Sequence, residues 1–154
     1  MNRALVLACG NAQRGDDGVA LQVANRLRRG FCDPETEVHS HQQWMPELAE
    51  PISAAEIVIF VDASAGVKPG TIACKSLRPE THSSTGITHH TSPESLLWLA
   101  EELYGKHPPR AYLVTVGGAS FDLSEQLSDP ARQAIPRALE RIKALLSGVT
   151  MPEP

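Results

Sequence analysis

Carboxylate and imidazole side chains occur at three places along the chain where they could bind a metal ion. Two adjacent aspartates follow one apolar stretch, a third aspartate follows another, and three histidines lie in a polar segment: Asp16, Asp17, Asp62, His82, His89 and His90. Carboxylate and imidazole together suit a borderline divalent metal such as nickel, zinc, manganese or iron. Three protein ligands would leave positions open for water or a substrate group.

Each of these residues also has a purely structural interpretation. Asp16 or Asp17 could cap the helix that follows them, and Asp62 could bond to its own backbone in a turn. A single histidine in the segment THSSTGITHHTSP could be a surface residue. His39 and His41 alternate with their neighbours, so we expect them to share one face of a strand. The metal-site interpretation therefore depends on the three groups converging in space.

The stretch CGNAQRGDDGVA has the glycine spacing of a phosphate-binding loop but not its lysine. Gly10 and Gly15 are five residues apart, and Asp16 and Asp17 stand where that loop has lysine followed by serine or threonine. Two carboxylates would repel a phosphate, so the turn suits a cation. The glycine–x–serine–x–glycine elbow of serine hydrolases is absent from the sequence. Cys9, at the end of an apolar stretch, is interpreted as a core residue.

Strand and helix patterns alternate along the chain. Strands are expected at Ala4–Cys9, Glu37–His41, Ile57–Val61, Thr71–Leu77 and Ala111–Val116. Helices are expected from about Asp17 to Arg29, from Trp44 to Glu50, from Pro93 (after an N-cap at Ser92) to Gly105, and from about Ser128 to Leu146. Because Pro136 lies inside the last pattern, that helix should start late or kink there.

This alternation predicts an α/β fold: a three-layer α/β/α sandwich with a twisted, mostly parallel sheet of about five strands. The carboxyl ends of parallel strands meet at one edge of a sheet, where open α/β folds bind their ligands. Residues that follow the strands would therefore converge there. Asp17, Asp62 and the histidine segment are the residues expected at that edge.

The overall composition limits the partners and the location of the protein. The chain has 154 residues and a net charge of -4, so it has no excess of positive charge for nucleic acid. No apolar run approaches the roughly 20 residues needed to cross a membrane, and the N-terminal segment lacks the pattern of a signal peptide. Three widely separated cysteines favour a reducing cytoplasm. We expect one domain over residues 1–148 and a flexible tail over 149–154.

Several motifs, in this order, resemble those of the nickel–iron hydrogenase maturation endopeptidases. The first strand followed by GNAQRGDDGV is similar to the family's opening motif, and IVIFVDAS is similar to its second motif, an apolar strand that ends in aspartate. THHTSPESLL resembles the third motif, in which a histidine precedes a leucine-rich helix. LSEQLSDPARQAIPRALERI resembles the closing helix. The resemblance covers most of the chain.

The resemblance implies an activity, a partner and a set of site residues. Members of the family remove a C-terminal extension from the precursor of a hydrogenase large subunit after nickel insertion. The catalytic, metal-contacting residues then fall on Asp17, Asp62 and His89, with Asp16 and His90 as the neighbouring alternatives. Nickel held by the precursor would be a recognition element, so no resident cofactor is expected, although other divalent metals could bind in vitro. The implied protein is a peptidase; the alternative is a non-catalytic, metal-sensing maturation chaperone of the same fold. We expect a monomer, since the protein must dock on a large precursor.

Overall fold

The computed structural model describes residues 4–31, 33–81 and 91–148, and these form one five-stranded sheet with helices on both faces. The strands are β1 Ala4–Cys9, β2 Thr36–His41, β3 Ile57–Ser64, β4 Ile72–Ser76 and β5 Arg110–Gly117. Their order across the sheet is β2-β1-β3-β5-β4, and every neighbouring pair is parallel except β4 and β5. The predicted α/β sandwich with a mostly parallel sheet is confirmed.

Within these ranges four α-helices cover the sheet: α1 Val19–Gly30, α2 Ala49–Ser53, α3 Pro93–Tyr104 and α4 Asp129–Leu146. Helices α1 and α4 pack on one face, and α2 and α3 pack on the other. Strand β1 shows why the sequence folds this way, because its alternate residues enter the two cores. Val6 and Ala8 lie with α1 and α4, whereas Leu5 and Leu7 lie with α2 and α3. A strand buried on both faces is therefore apolar throughout.

The helix ends follow from local side chains. Ser92 caps α3 in a reciprocal pair of hydrogen bonds with Ser95, and Gly105 ends the helix at a φ of 75°, a conformation that favours glycine. Ser128 caps α4 by accepting a hydrogen bond from the Ala131 amide. Helix α4 then continues through Pro136, so the expectation of a late start was wrong.

Two other predictions need correction at the edges of the helices. A single turn of 3-10 helix, Gly15–Gly18, contains both aspartates and precedes α1, and no side chain caps either helix. The N-cap interpretation of Asp16 and Asp17 was therefore wrong. Residues Trp44 and Met45 remain outside the second predicted helix, which begins as a 3-10 turn at Pro46–Leu48 and ends with α2 at Ser53.

The order of the strands places a crevice between β1 and β3. From β1 the chain crosses to β2 on one side, and from β2 it returns to β3 on the other side of β1. A reversal of this kind leaves an opening beyond the carboxyl ends of the two central strands, which is where open α/β sheets bind ligands. Within the described residues no helix has the length and apolar character needed to cross a membrane. The predicted tail, 149–154, lies outside those residues.

Candidate active site

A cavity of about 420 Å³ lies at the carboxyl ends of β1 and β3. Asp17 and Asp62 both line it, so the fold brings together the first two of the predicted site residues. Thr91 also lines it. His82, His89 and His90 lie outside the described residues, so the predicted imidazole ligand stays a prediction. Its sequence neighbour Thr91 nevertheless reaches this cavity.

The turn after β1 fixes Asp17 at the cavity. The backbone amide of Asn11 donates a hydrogen bond to Oδ2 of Asp17 over 2.8 Å. Gly10 permits the backbone to fold back on itself, because a Cβ atom at this position would lie only 2.0 Å from the carbonyl oxygen of Asp17. The Asp17 backbone amide donates in turn to the carbonyl of Arg14 over 3.1 Å. Gly10 thus serves the backbone geometry that presents a carboxylate.

Asp16 has a different role, because it is fully buried and does not line the cavity. Its Oδ2 atom accepts hydrogen bonds from the amides of Ala119 and Ser120 and from the hydroxyl of Ser128, and its Oδ1 atom accepts one from the Ser128 amide. Burial by itself would raise the pKa of Asp16, but the bonds from Ser128, Ala119 and Ser120 together hold it below its ordinary value. Asp16 therefore ties the turn after β1 to the start of α4.

The surroundings of Asp62 in the cavity change its ionisation. The pKa of Asp62 is raised to about 6, chiefly by burial; a hydrogen bond from the Ala63 amide to Oδ1 opposes the shift, and the neighbouring charge of Asp17 adds to it. A carboxylate with this pKa is ionised at neutral pH and still basic enough to accept a proton. Asp62 is therefore suited to general-base chemistry.

Cys9 lies beside the two aspartates. It is 7% exposed, as expected of a core residue, yet it also lines the cavity, which the sequence did not indicate. Burial raises the pKa of the Cys9 thiol to about 12, with further contributions from Asp62 and Asp17. Since the thiolate is the nucleophilic form of cysteine, Cys9 is a poor nucleophile here. Its place at the last position of β1 is the signal that could have located it.

One wall of the cavity comes from the segment after β2, residues Gln42, Gln43, Trp44, Met45 and Pro46. The Trp44 ring packs edge-on against Phe60, with ring centroids 5.3 Å apart, so the core holds it in place. Met45 is 40% exposed. The sequence did not identify this wall, because its helical pattern drew attention to Trp44 as part of a helix. Its position directly after a strand was the overlooked signal.

His39 and His41 lie outside this cavity. Their rings stack with centroids 6.2 Å apart, which confirms that they share one face of β2. His39 pairs with Glu37 over 3.2 Å. Burial lowers the pKa of His41, and the neighbouring His39 makes a smaller contribution in the same direction.

Within residues 4–31, 33–81 and 91–148, no group of three or more histidine, cysteine, aspartate or glutamate side chains is placed to hold a metal ion.

Comparison with known proteins defines the class of this fold. No protein-family model matches the chain, and no curated protein matches it. Solved structures match it over nearly their whole length. The hydrogenase maturating endopeptidase HybD from E. coli is 23% identical with a TM-score of 0.74, and the match covers 95% of this chain and 93% of that one.

Two archaeal structures give the same result. The NiFe hydrogenase maturation protease HycI from Thermococcus kodakarensis is 26% identical with a TM-score of 0.74, over 95% of this chain and 93% of that one. The hydrogenase 2 maturation peptidase from a Thaumarchaeota archaeon is 22% identical with a TM-score of 0.71, over 94% and 98%. The chain is thus an α/β sandwich with an acidic cavity at its strand-order reversal. More particularly, it has the fold of the hydrogenase maturation endopeptidases, and the resemblance found in its sequence is confirmed.

Proposed function

We propose that this protein is an endopeptidase that removes a C-terminal extension from the nickel-loaded precursor of a nickel–iron hydrogenase large subunit. The observation that carries the proposal is the cavity between β1 and β3. Asp17 and Asp62 come from motifs 45 positions apart in sequence, and they line one cavity in a fold shared with named maturation proteases. The proposal that the protein recognises nickel in the precursor rests on the sequence motifs that resemble those of the family.

In the proposed reaction the nickel ion arrives with the precursor, as part of the substrate. Asp17, Asp62 and His89 contact it and so recognise a precursor that is ready to be cut. A carboxylate of the cavity accepts a proton from water. The water oxygen bonds to the scissile carbonyl carbon, the carbon–nitrogen bond breaks, and the amide nitrogen leaves with a proton. The products are the shortened subunit and the free extension.

The test is cleavage of the nickel-loaded precursor by wild type, Asp17→Asn, Asp62→Asn and His89→Ala, with product masses measured by mass spectrometry. Removing a proton-transfer or charge-stabilising group should lower the rate by about 100-fold or more. Asp122→Asn is the matched control, since Asp122 is exposed and does not line the cavity. His90→Ala separates the two adjacent histidines, and only the His89 variant should be impaired.

A nickel-free precursor should remain at its full length with every variant. Full activity in all three site variants would overturn the residue assignment. A wild-type protein that binds the nickel-loaded precursor without shortening it would instead establish the alternative, a non-catalytic, metal-sensing chaperone. Because a proteolytic product must be lighter than the precursor, the mass measurement separates these outcomes.

A further inference from the structure

A second cavity, of about 600 Å³, lies between the β3–β4 loop and helix α4. Its charged lining comprises Lys68, Arg137, Arg141 and Glu140, that is, three cations and one carboxylate. The chain as a whole has a net charge of -4, so this concave surface has the opposite sign to the protein that carries it. Its size falls in the range of cavities that bind a ligand or a short segment of chain.

The walls of this cavity are held together by the backbone and by Arg137. The Arg137 guanidinium donates a hydrogen bond to the carbonyl of Gly70 over 2.9 Å, which joins α4 to the loop. Gly70 has a φ of +84°, and a Cβ atom there would lie 3.2 Å from the carbonyl oxygen of Pro130. The amide of Gly70 donates to Gly117 and the amide of Gly117 donates to Thr71, each over 2.8 Å. The cavity is therefore preformed.

The positive charges in this cavity are available to a ligand. Across the described ranges, neither Lys68, Arg137 nor Arg141 forms an ion pair with a carboxylate; the lysine and arginine pairs seen there are Lys75–Glu94 and Arg132–Asp129. Three cations held around one concavity attract an anionic group, and their effect on a protein partner is to guide and orient it.

We infer that this cavity docks an acidic segment of a partner protein. A nucleic acid is disfavoured, because the net charge of the chain would repel a long polyanion. The lining also contains Pro69, Ile72 and Pro130, apolar groups that suit a peptide. Lys68 follows Asp62 by six positions on the segment leading out of β3, so both cavities take lining residues from the carboxyl end of that strand. The inference rests on the proposed function only in taking the partner to be the precursor.

The first test does not depend on cleavage. Protein labelled with ¹⁵N is titrated with the blocked peptide acetyl-EEDEE-amide, and amide chemical shifts are followed by NMR, with acetyl-QQNQQ-amide as the neutral comparison. Shifts should concentrate on Lys68–Ile72 and on Gln133–Arg141, with the acidic peptide only. They should vanish in the double variant Lys68→Glu/Arg141→Glu. Absent or evenly scattered shifts would overturn the inference, whatever the protein does to the precursor.

The second test measures processing of the nickel-loaded precursor at low ionic strength. The Lys68→Glu/Arg141→Glu variant should raise KM at least about fivefold and leave kcat within about twofold, because the lost contacts are outside the acidic cavity. The matched control is Arg26→Glu/Arg29→Glu, which changes the net charge equally through two exposed residues of α1. An equal rise in KM for both double variants would show a general effect of net charge and would overturn the inference of a docking site. If wild type does not cleave the precursor but the localised NMR shifts are observed, the proposed function is contradicted and the docking site is still supported.

Discussion

Adjacent aspartates in this protein do different work because of the turn that carries them. In a 3-10 helix successive side chains are separated by roughly 120° around the axis. The Gly15–Gly18 turn therefore directs Asp16 to the amides of Ala119 and Ser120, and Asp17 to the cavity. One carboxylate holds the site together and its neighbour lines the site. A motif with two acidic residues in succession thus contains one structural residue and one candidate functional residue.

The ionisation of Asp62 predicts a stability that depends on pH. Its folded-state pKa, about 6, lies above the ordinary value of 3.8, so the folded protein binds a proton more tightly than the unfolded chain. Between pH 4 and 6 the free energy of unfolding must fall as pH rises. Above pH 6 the whole destabilisation caused by the buried Asp62 charge is present. Asp62→Asn removes that cost. After allowing for partial exposure, we expect the variant to unfold with a free energy about 1–2 kcal/mol higher than wild type at pH 8 and nearly equal at pH 4.

Urea denaturation at the two pH values measures this difference. Asp122→Asn, on an exposed loop, should stay within about 0.5 kcal/mol of wild type at both. An Asp62→Asn variant that gains no stability at pH 8 would show that burial of the carboxylate is not costly. A variant that gains stability and loses cleavage would show that the site residue is retained at the expense of stability.

The sequence could predict the role of a site residue only where the signal for that role lies close to the residue along the chain. Asp17 and Asp62 could be placed at one edge because each directly follows an apolar strand. The role of Asp16 could not, because Ala119 and Ser128 lie more than 100 positions away and nothing local marks them as its donors. The assignment of His89 stays a prediction. Motifs carried by neighbouring residues were thus accessible, whereas contacts made by the tertiary fold were not.

At the scale of elements, strand positions were predictable and one strand direction was not. Apolar runs located β1, β3 and β5, and the Ser92 and Gly105 signals located α3. The short loop after β3 favours a neighbouring antiparallel strand. Instead, β5 inserts between β3 and β4, so β4 is antiparallel to a strand that comes later in the chain. Such an insertion depends on long-range pairing that local patterns do not carry.

The close approach at Gly10 predicts that the β1 turn is intolerant of a side chain. In Gly10→Ala the new methyl group would meet the Asp17 carbonyl oxygen at 2.0 Å, and the obstacle is backbone, so the turn must shift. We expect the free energy of unfolding to fall by about 2–3 kcal/mol, together with a loss of processing because Asp17 moves. Gly30→Ala is the control, since nothing lies within 4 Å of that position at the end of α1, and alanine there should be neutral or stabilising by up to about 1 kcal/mol. Equal stability of the two variants in urea would contradict this account of the turn.

At the scale of the molecule, two cavities of opposite charge take part of their lining from β3 and the segment that follows it. The acidic one contains Asp17 and Asp62, and the basic one contains Lys68, Arg137 and Arg141. Opposite charges on one protein favour a partner that offers a cation to the first and an anion to the second. A precursor that brings a nickel ion and an acidic segment would meet both requirements. In this proposal recognition depends on an assembly of two proteins, because the metal is supplied by the partner.

This division predicts how the protein should respond to metal removal. If nickel belongs to the substrate, treatment of the purified protein with EDTA, followed by removal of the chelator, should leave processing of nickel-loaded precursor within about twofold of the untreated rate. The physical reason is that the purified protein then has no metal to lose, because the ion that Asp17, Asp62 and His89 contact enters with the precursor. The paired control uses a precursor prepared without nickel, which neither the EDTA-treated nor the untreated protein should cut. Loss of activity after chelation of the protein, with recovery on adding nickel or zinc to the protein alone, would establish a resident metal and contradict the proposal that the ion enters with the precursor.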